Sequence, residues 1–493
     1  MWYTITGFLK KEKKGRVKMK NLRRTKITCT IGPAAEAEEM LTKLVNTGMN
    51  VARINFSHGG YEENAEKIET IKKVRTALNQ PIAMCLDTKG PEIRTGKQES
   101  GDQKVEIKEG QTFTFVNEDI IGNETKTSIS YKNLYQDVKP GAKILVDDGA
   151  IEFEVQEVVG KDVVCKAVNS GMLGSRKTVN IQGVIVNLPA LAEKDIADIS
   201  KGAQVGFDYI FASFVRRLSD VQEIRKLLDE NGGQNVGIIS KIESQEGIDN
   251  FEEILEASDG IMVARGDMAV EIPYYKVPAV QKHFIKRCNE VGKPVITATQ
   301  MLESMTKNPR ATRAEVSDVA NAVYDRTSAI MLSGESAMGA HPALCVDTMV
   351  KISEETESHV NYEKRFYENR YDPETASECK TLGYTTCVTA ANVNADAIIV
   401  YTNDGSEART IGGLSPVCPI IAVTDNKQTF HKMSVYGDVF PVYTESKECA
   451  CEMVKAAIEE LKNNGTLETG DTLVLAGSKK DDNTISLGKI LKI

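Results

Sequence analysis

At 493 residues the chain exceeds what one hydrophobic core supports, so roughly two to four domains are expected. Its apolar fraction of 41% and charged fraction of 27% are those of an ordinary globular protein. With 61 basic against 70 acidic side chains, a formal net charge of -9, there is no electrostatic case for a nucleic-acid partner. No apolar run reaches membrane-span length and no signal-peptide pattern opens the chain, so a cytoplasmic protein without a membrane partner is expected. The ten cysteines are scattered. Their closest pair, Cys449 and Cys451, is spaced one residue tighter than the usual metal or redox motifs, which predicts reduced thiols. The five histidines are too dispersed to ligate zinc together.

Residues 1–18 carry Lys10, Lys11, Lys13, Lys14, Arg16 and Lys18 with few apolar partners. They read as an unpacked extension rather than an anion-binding arm. Short apolar runs then recur at 26–33, 51–57, 82–89, 209–215, 236–243, 260–267, 294–300 and 329–335, separated by amphipathic helical stretches. This alternation predicts a parallel sheet with crossover helices, and eight repeats predict a closed (β/α)8 TIM barrel. The runs are asymmetric: VARINFS, IAMCLDTK, VGIISKIE, GIMVARGD, PVITATQ and AIMLSGE all place apolar residues first and polar residues last. In such a barrel the C-terminal strand ends form the catalytic mouth, so these polar ends read as one active site.

An interruption between the third and fourth runs is far longer than an ordinary loop. KVEIKEG, QTFTFV, KILVDDG, AIEFEVQEVV and KDVVCKAV alternate apolar and polar residues within it, predicting a small all-β antiparallel lid domain. After about Asn361 the runs AIIVYT, IIAVTD and TLVLAG predict a C-terminal open α/β domain for regulation or assembly. The expected organisation is extension 1–18, barrel 19–88, lid 89–184, barrel 185–360 and C-terminal domain 361–493.

Glu243 and Asp267 are read as ends of successive strands, a carboxylate pair suited to Mg²⁺ or Mn²⁺. Lys241 shares a strand face with Glu243, and a lysine beside a metal is a phosphate-handling arrangement. Arg53 and Arg94, placed at the ends of strands two and three, supply guanidinium groups for phosphate or carboxylate recognition. Asn55, Ser57, Asp87 and Thr88 offer oxygen ligands with one charge, a set suited to a monovalent cation. Gly266 lets a substrate approach the backbone closely. His58 reads as a structural or nucleotide-edge residue rather than a base. No glycine-rich phosphate loop is present, so a nucleotide would be held by metal ions and side chains.

TKITCTIGPA (25–34), MNVARINFSHG (49–59), LDTKGPEIRTG (86–96), SKIES (240–244), GIMVARGDMAVEIP (260–273), VITATQMLESM (295–305) and MLSGESA (331–337) together resemble the pyruvate kinase family. The resemblance implies phosphoryl transfer from phosphoenolpyruvate to ADP, giving pyruvate and ATP, with Mg²⁺ (or Mn²⁺) and K⁺ as cofactors, usually in a homotetramer. It implies that Arg53, Lys241, Gly266, Asp267 and Thr299 contact phosphoenolpyruvate. Glu243 and Asp267 would hold Mg²⁺, and Asn55, Ser57, Asp87 and Thr88 would hold K⁺. Asn55, His58, Arg94 and Lys177 would serve the nucleotide, and a water near Thr299 and Ser333 would protonate the enolate. Two rivals are a metal-dependent lyase or aldolase on the same mouth and a catalytically dead subunit. The lid with Lys177 argues against the first, and the complete set Arg53, Lys241, Glu243, Asp267 and Thr299 against the second.

Three departures from the family pattern stand out. Arg326 occupies a position near a helix end where the family has glycine, which predicts a side chain forced to positive φ. The usual KGVNLPG of the lid reads KTVNIQG at 177–183. The usual T-x-S-G-x-[ST]-A loop of the C-terminal domain reads TNDGSEA at 402–408, with Asp404 and Glu407 where hydroxyls would cradle a phosphate. That predicts no activation by a sugar diphosphate, although Lys479 and Lys480 could offset part of the repulsion.

Overall fold

Eight runs of mostly apolar residues form the parallel strands β1 (Lys26–Thr30), β2 (Val51–Asn55), β3 (Ala83–Asp87), β4 (Tyr209–Ala212), β5 (Gly237–Ile242), β6 (Gly260–Ala264), β7 (Val295–Ala298) and β8 (Ala329–Leu332). They close into a barrel in the order β1-β8-β7-β6-β5-β4-β3-β2, with Lys26 in register with Ala329 across the seam. This computed structural model describes residues 22–57, 59–99, 101, 103–369, 371–374, 376–479 and 482–493, without the side chains of 478, 479 and 482–488. The extension 1–18, His58, and the side chains of Lys479 and Lys480 lie outside that description. The chain divides into two compact units. One holds residues 25–356 and 434–437, the other 357–433, 438–493 and the described residues before Thr25.

Helices cover the barrel because their apolar residues recur on one face. Glu38–Thr47 buries Leu41, Leu44 and Val45, an i, i+3, i+4 set, and stops at Gly48, whose φ of 131° a side chain would resist. Fully burying such a leucine stabilises the fold by about 1.5–3 kcal/mol. These residues join Ile27, Ile54, Leu86, Ile238 and Ile261 from the strands in one core. One crossover helix, Glu193–Val205, escapes the sequence pattern. Its inward face includes the buried carboxylates Asp195 and Asp198, which erase the apolar stripe. Asp195 is structural: its Oδ1 accepts the N–H groups of Lys89 (3.0 Å) and Gly90 (3.2 Å), fixing the chain where it leaves β3 for the lid.

The lid is a six-stranded sheet with a separate two-stranded one. Phe113, Phe115 and Phe153 fill its centre, with Phe113 and Phe153 stacked at 4.9 Å between centroids. It is not wholly antiparallel as expected, because Thr112–Val116 and Lys126–Ser128 pair parallel. In the C-terminal unit, β9 (Ala397–Tyr401), β10 (Ile420–Thr424), β11 (Val439–Tyr443), β12 (Thr472–Lys479) and β13 (Asp482–Lys492) form one open sheet ordered β11-β10-β9-β12-β13. All neighbours are parallel except the antiparallel β12–β13 pair.

The expectation of reduced thiols throughout is corrected here. Cys449 and Cys451 are joined in a disulfide, with Cα atoms 5.3 Å apart. Cys449 is extended (φ -140°, ψ 156°) as the residue capping helix Ala450–Asn463, and the turn into that helix brings the sulfurs together despite the tight spacing.

Candidate active site at the barrel mouth

β2, β3 and β5 lie near one another on the barrel wall, so their polar residues meet. Arg53 is in β2, buried, with Nε donating to Asp87 Oδ2 at 2.5 Å and Nη1 to Thr30 Oγ1 at 2.7 Å. Lys241 is in β5, its Nζ donating to Asp87 Oδ1 at 3.2 Å and Ser213 Oγ at 2.8 Å, with Glu243 Oε1 3.1 Å away. Burial alone would raise the Asp87 pKa, but Arg53 and Lys241 hold the carboxyl below its ordinary range. Burial works against the Lys241 charge, yet Asp87 and Glu243 carry its pKa above the lysine range, so it stays an ammonium.

Glu243 follows β5 directly and is completely buried. Burial pushes its carboxyl up to about 8, with Lys241 opposing and Asp267 adding to the rise. Oε2 accepts the Phe214 N–H at 2.6 Å, while Oε1 accepts no hydrogen bond among the described residues. Phe214 holds φ at 54°, a strained value for a bulky residue, and that backbone directs its N–H at Glu243.

Asp267 does not end β6 as expected. β6 stops at Ala264, and Asp267 lies in the first turn of helix Arg265–Glu271. Arg265 opens that helix with its side chain held by Ala298 O (3.1 Å), Thr299 O (2.6 Å) and Asp318 Oδ1 (2.8 Å). Beside it the Gly266 N–H donates to Thr299 Oγ1 at 2.7 Å, and a Cβ on Gly266 would stand 3.4 Å from that oxygen. Thr299 and Gln300 hold φ at 71° and 53°, so backbone strain again collects at the mouth.

Asn55 is in register with Asp87 across β2–β3, and its Oδ1 accepts the Ser57 N–H at 3.1 Å. Thr88 Oγ1 accepts the Ser213 N–H at 3.0 Å. Ser333 follows β8, its N–H donating to Glu335 Oε2 at 2.8 Å. Arg94 is not at the end of β3. It lies at the base of the lid, bridged to Thr178, where Nε donates to Glu92 Oε2 at 2.8 Å. Lys177 is its neighbour there, paired with Asp147 Oδ1 at 2.8 Å. The lid meets the helix that carries Asp267: Asn180 Nδ2 donates to Glu271 Oε1 and Gln182 Nε2 to Val270 O, both at 2.8 Å. A cavity of about 350 Å³ between them is lined by Ile181, Val184, Phe214, Asp267 and Glu271.

The barrel matches the family model described as pyruvate kinase, barrel domain, over residues 22–346, and residues 380–490 match the pyruvate kinase alpha/beta domain. A pyruvate kinase of Clostridium acetobutylicum is 48% identical over 92% of this chain and 96% of its own. One from Staphylococcus saprophyticus is 48% identical over 92% of this chain and 77% of its own. The crystal structure of a pyruvate kinase from Cryptosporidium parvum superposes with a TM-score of 0.91 at 38% identity, over 95% and 96% of the two chains.

The chain belongs to the pyruvate kinase family. Its activity is therefore phosphoryl transfer from phosphoenolpyruvate to ADP, on a closed barrel followed by an α/β domain. Two residues of this pyruvate kinase mouth escape the sequence reading. Ser213, just beyond β4, donates to Thr88 O at 2.6 Å and Asp87 Oδ1 at 3.2 Å and accepts from Lys241. It ends its strand in the same polar way as the others, so the same rule applied to YIFAS finds it. Glu335, fully buried, accepts the N–H groups of Leu302 (3.1 Å) and Ser333, joining the loops after β7 and β8. Arg326 has φ at 77°, the value a glycine takes without strain.

Proposed function

We propose that Lys241 is the electrophilic catalyst of phosphoryl transfer, and that Arg53, Gly266, Asp267 and Thr299 bind phosphoenolpyruvate around it. The observation that carries this is the ammonium of Lys241, buried at the mouth between Asp87 and Glu243 and kept charged chiefly by Asp87. As the bond from phosphorus to the enol oxygen breaks and one to an ADP oxygen forms, negative charge grows on the bridging and equatorial oxygens. A fixed ammonium in a low-dielectric site stabilises that charge more than it stabilises bound substrate. Arg53 fixes the phosphate, its geometry set by Asp87 and Thr30. Carbon 3 of the enolate then takes a proton, through a water held by Thr299 and Ser333, to give pyruvate.

Glu243 and Asp267 fit Mg²⁺ or Mn²⁺. Glu243 Oε1 has only the Lys241 ammonium beside it, at 3.1 Å, among the described residues, and burial, with the Asp267 charge adding, raises the proton affinity of Glu243, as in a site that lacks its cation. A divalent ion there supplies Lewis-acid stabilisation of phosphoryl oxygens. Asn55, Ser57, Asp87 and Thr88 fit K⁺ as a set of oxygen donors with one formal charge gathered where β2 and β3 end, with Asn55 and Asp87 in register. Asn55, His58, Arg94 and Lys177 serve the nucleotide, the last two from the lid. The enzyme acts in the cytoplasm as a homotetramer, a reading that rests on the family and that light scattering would test. Among the described residues no helix is long and apolar enough to cross a membrane.

The test is a coupled assay of pyruvate formation that requires ADP, Mg²⁺ and K⁺ together, and in which Arg53→Ala and Lys241→Met each lower turnover steeply, the latter by about a thousandfold. Pyruvate formation independent of ADP would mark a lyase instead.

A further inference from the structure

The chain contains ten cysteines, and their surroundings differ sharply. Cys29, Cys85, Cys165, Cys288, Cys345, Cys387 and Cys418 are buried and Cys379 is half-buried. Burial pushes up the thiols of Cys85, Cys165, Cys288, Cys345, Cys379 and Cys418, which keeps them protonated and inert. Cys449 and Cys451 stand apart. Cys451 is exposed, Cys449 is half-buried, and the segment before them, 445–448, is exposed and irregular. Their sulfurs are bonded to each other and to no other cysteine.

We propose that Cys449 and Cys451 form a reversible dithiol–disulfide site that exchanges with a low-molecular-weight disulfide. Cys451 sits in the first turn of the 14-residue helix Ala450–Asn463, where unpaired backbone N–H groups favour a thiolate. It is also the more accessible sulfur, so it attacks. The Cys451 thiolate displaces one thiolate from the small disulfide, forming a mixed disulfide. The Cys449 thiolate then attacks the Cys451 sulfur and expels the second small thiol. The two protein thiols lose two hydrogens and one small disulfide becomes two thiols, so the electrons balance. Glu445, Glu448 and Glu452 flank the pair but are exposed, where solvent and salt screen them.

The placement gives the bond a structural effect. β9, β10 and β11 run parallel, so the segments that follow them leave the sheet at one edge. In open α/β sheets that carboxyl edge carries the ligand crevices. Closing the bond ties the capping residue of Ala450–Asn463 to its second helical residue, restricting the segment that borders that edge. This inference is independent of the roles assigned at the barrel mouth.

The test uses the full-length protein, fully reduced and then freed of reductant. Brief N-ethylmaleimide treatment under native conditions is expected to modify Cys449 and Cys451 first, half-buried Cys379 more slowly, and the seven buried cysteines only through local opening. Incubation with oxidised glutathione is expected to remove two hydrogens from the peptide holding both residues, and dithiothreitol to restore them. Cys449→Ser is expected to leave a glutathione mixed disulfide trapped on Cys451. Both thiols persisting in oxidised glutathione, or the oxidation settling on other cysteines, would overturn the proposal.

Discussion

Replacing Lys241 with methionine removes the ammonium while keeping most of the side-chain volume. Three contacts disappear at once, to Asp87, Ser213 and Glu243. A transition-state contribution of about 4 kcal/mol, typical of a fixed charge at developing oxyanions, corresponds to a fall in turnover of about a thousandfold. Stripping one partner from a buried ion pair costs about 3–5 kcal/mol when the remaining charge has no other relief. Here relief exists. Asp87 keeps Arg53 at 2.5 Å, and Glu243, already up at about 8, goes further up and holds its proton at neutral pH. The variant should therefore still fold at pH 7, with stability falling as the pH rises from 4.5, the ordinary value for Glu243, through its raised folded value. Metal binding should survive, because losing a neighbouring positive charge favours a divalent ion twice as strongly as the competing proton. The assay is lactate-dehydrogenase-coupled turnover with a parallel Mn²⁺ titration. Turnover at a tenth of wild type, or loss of Mn²⁺ binding from a folded variant, would refute the role given to Lys241.

Lid docking should depend on pH through Glu271. Burial raises its carboxyl from 4.5 to about 7, with Asp267 adding and the Asn180 hydrogen bond opposing, so docking is favoured by the protonated form and weakens as the pH rises through that window. Hydrogen exchange of Val179–Gln182, corrected for intrinsic rates, should speed up between about pH 5 and 8 in the wild type and not in Glu271→Gln; equal responses would contradict this. Activity should require K⁺, on the proposal that Asn55, Ser57, Asp87 and Thr88 hold it; Glu92, paired with Arg94 at 2.7 Å, supplies no positive charge that could replace the cation. Full activity with only bulky organic cations would refute it. Fructose 1,6-bisphosphate at millimolar concentration should leave the phosphoenolpyruvate saturation curve in place. The Thr402 hydroxyl already donates to the buried Glu407 carboxylate, as does Ser406 at 3.3 Å, so the chain's own carboxylate fills the loop. A several-fold leftward shift that vanishes on mutating Thr402 or Ser406 would show otherwise.

Much of the architecture was legible because strand burial and strand-end polarity are written locally. LDTK and SKIE announce Asp87, Lys241 and Glu243 by the abrupt change from apolar to charged residues at one strand end, and the structure brings these three into contact. What was not legible depends on tertiary partners. Helix Glu193–Val205 hides because Asp195 and Asp198 face inward, and the partners of Asp195, the amides of Lys89 and Gly90, lie about a hundred residues away. GIMVARGD reads as continuous strand, yet the strand stops at Ala264 and Asp267 lies in a helix whose first residue, Arg265, is bonded to the end of β7. The departure at Gln182 became interpretable only with its partner, the Val270 carbonyl, in place. The Cys449–Cys451 bond depends on an extended capping residue that no spacing rule encodes.

The barrel seam has a consequence for synthesis. β1 is complete within the first few dozen residues, but its second neighbour, β8, lies about 300 residues later. Bringing ends so far apart together costs on the order of 5 kcal/mol of chain entropy. At roughly 5–20 residues per second, a ribosome leaves the open edge of β1 without its partner for about 15–60 s. The lid strands, whose pairings span short stretches of sequence, can form during that interval. Chains released before Ala329 would expose two unpaired strand edges and have no closed mouth, which makes premature termination an aggregation hazard rather than a source of partly active enzyme.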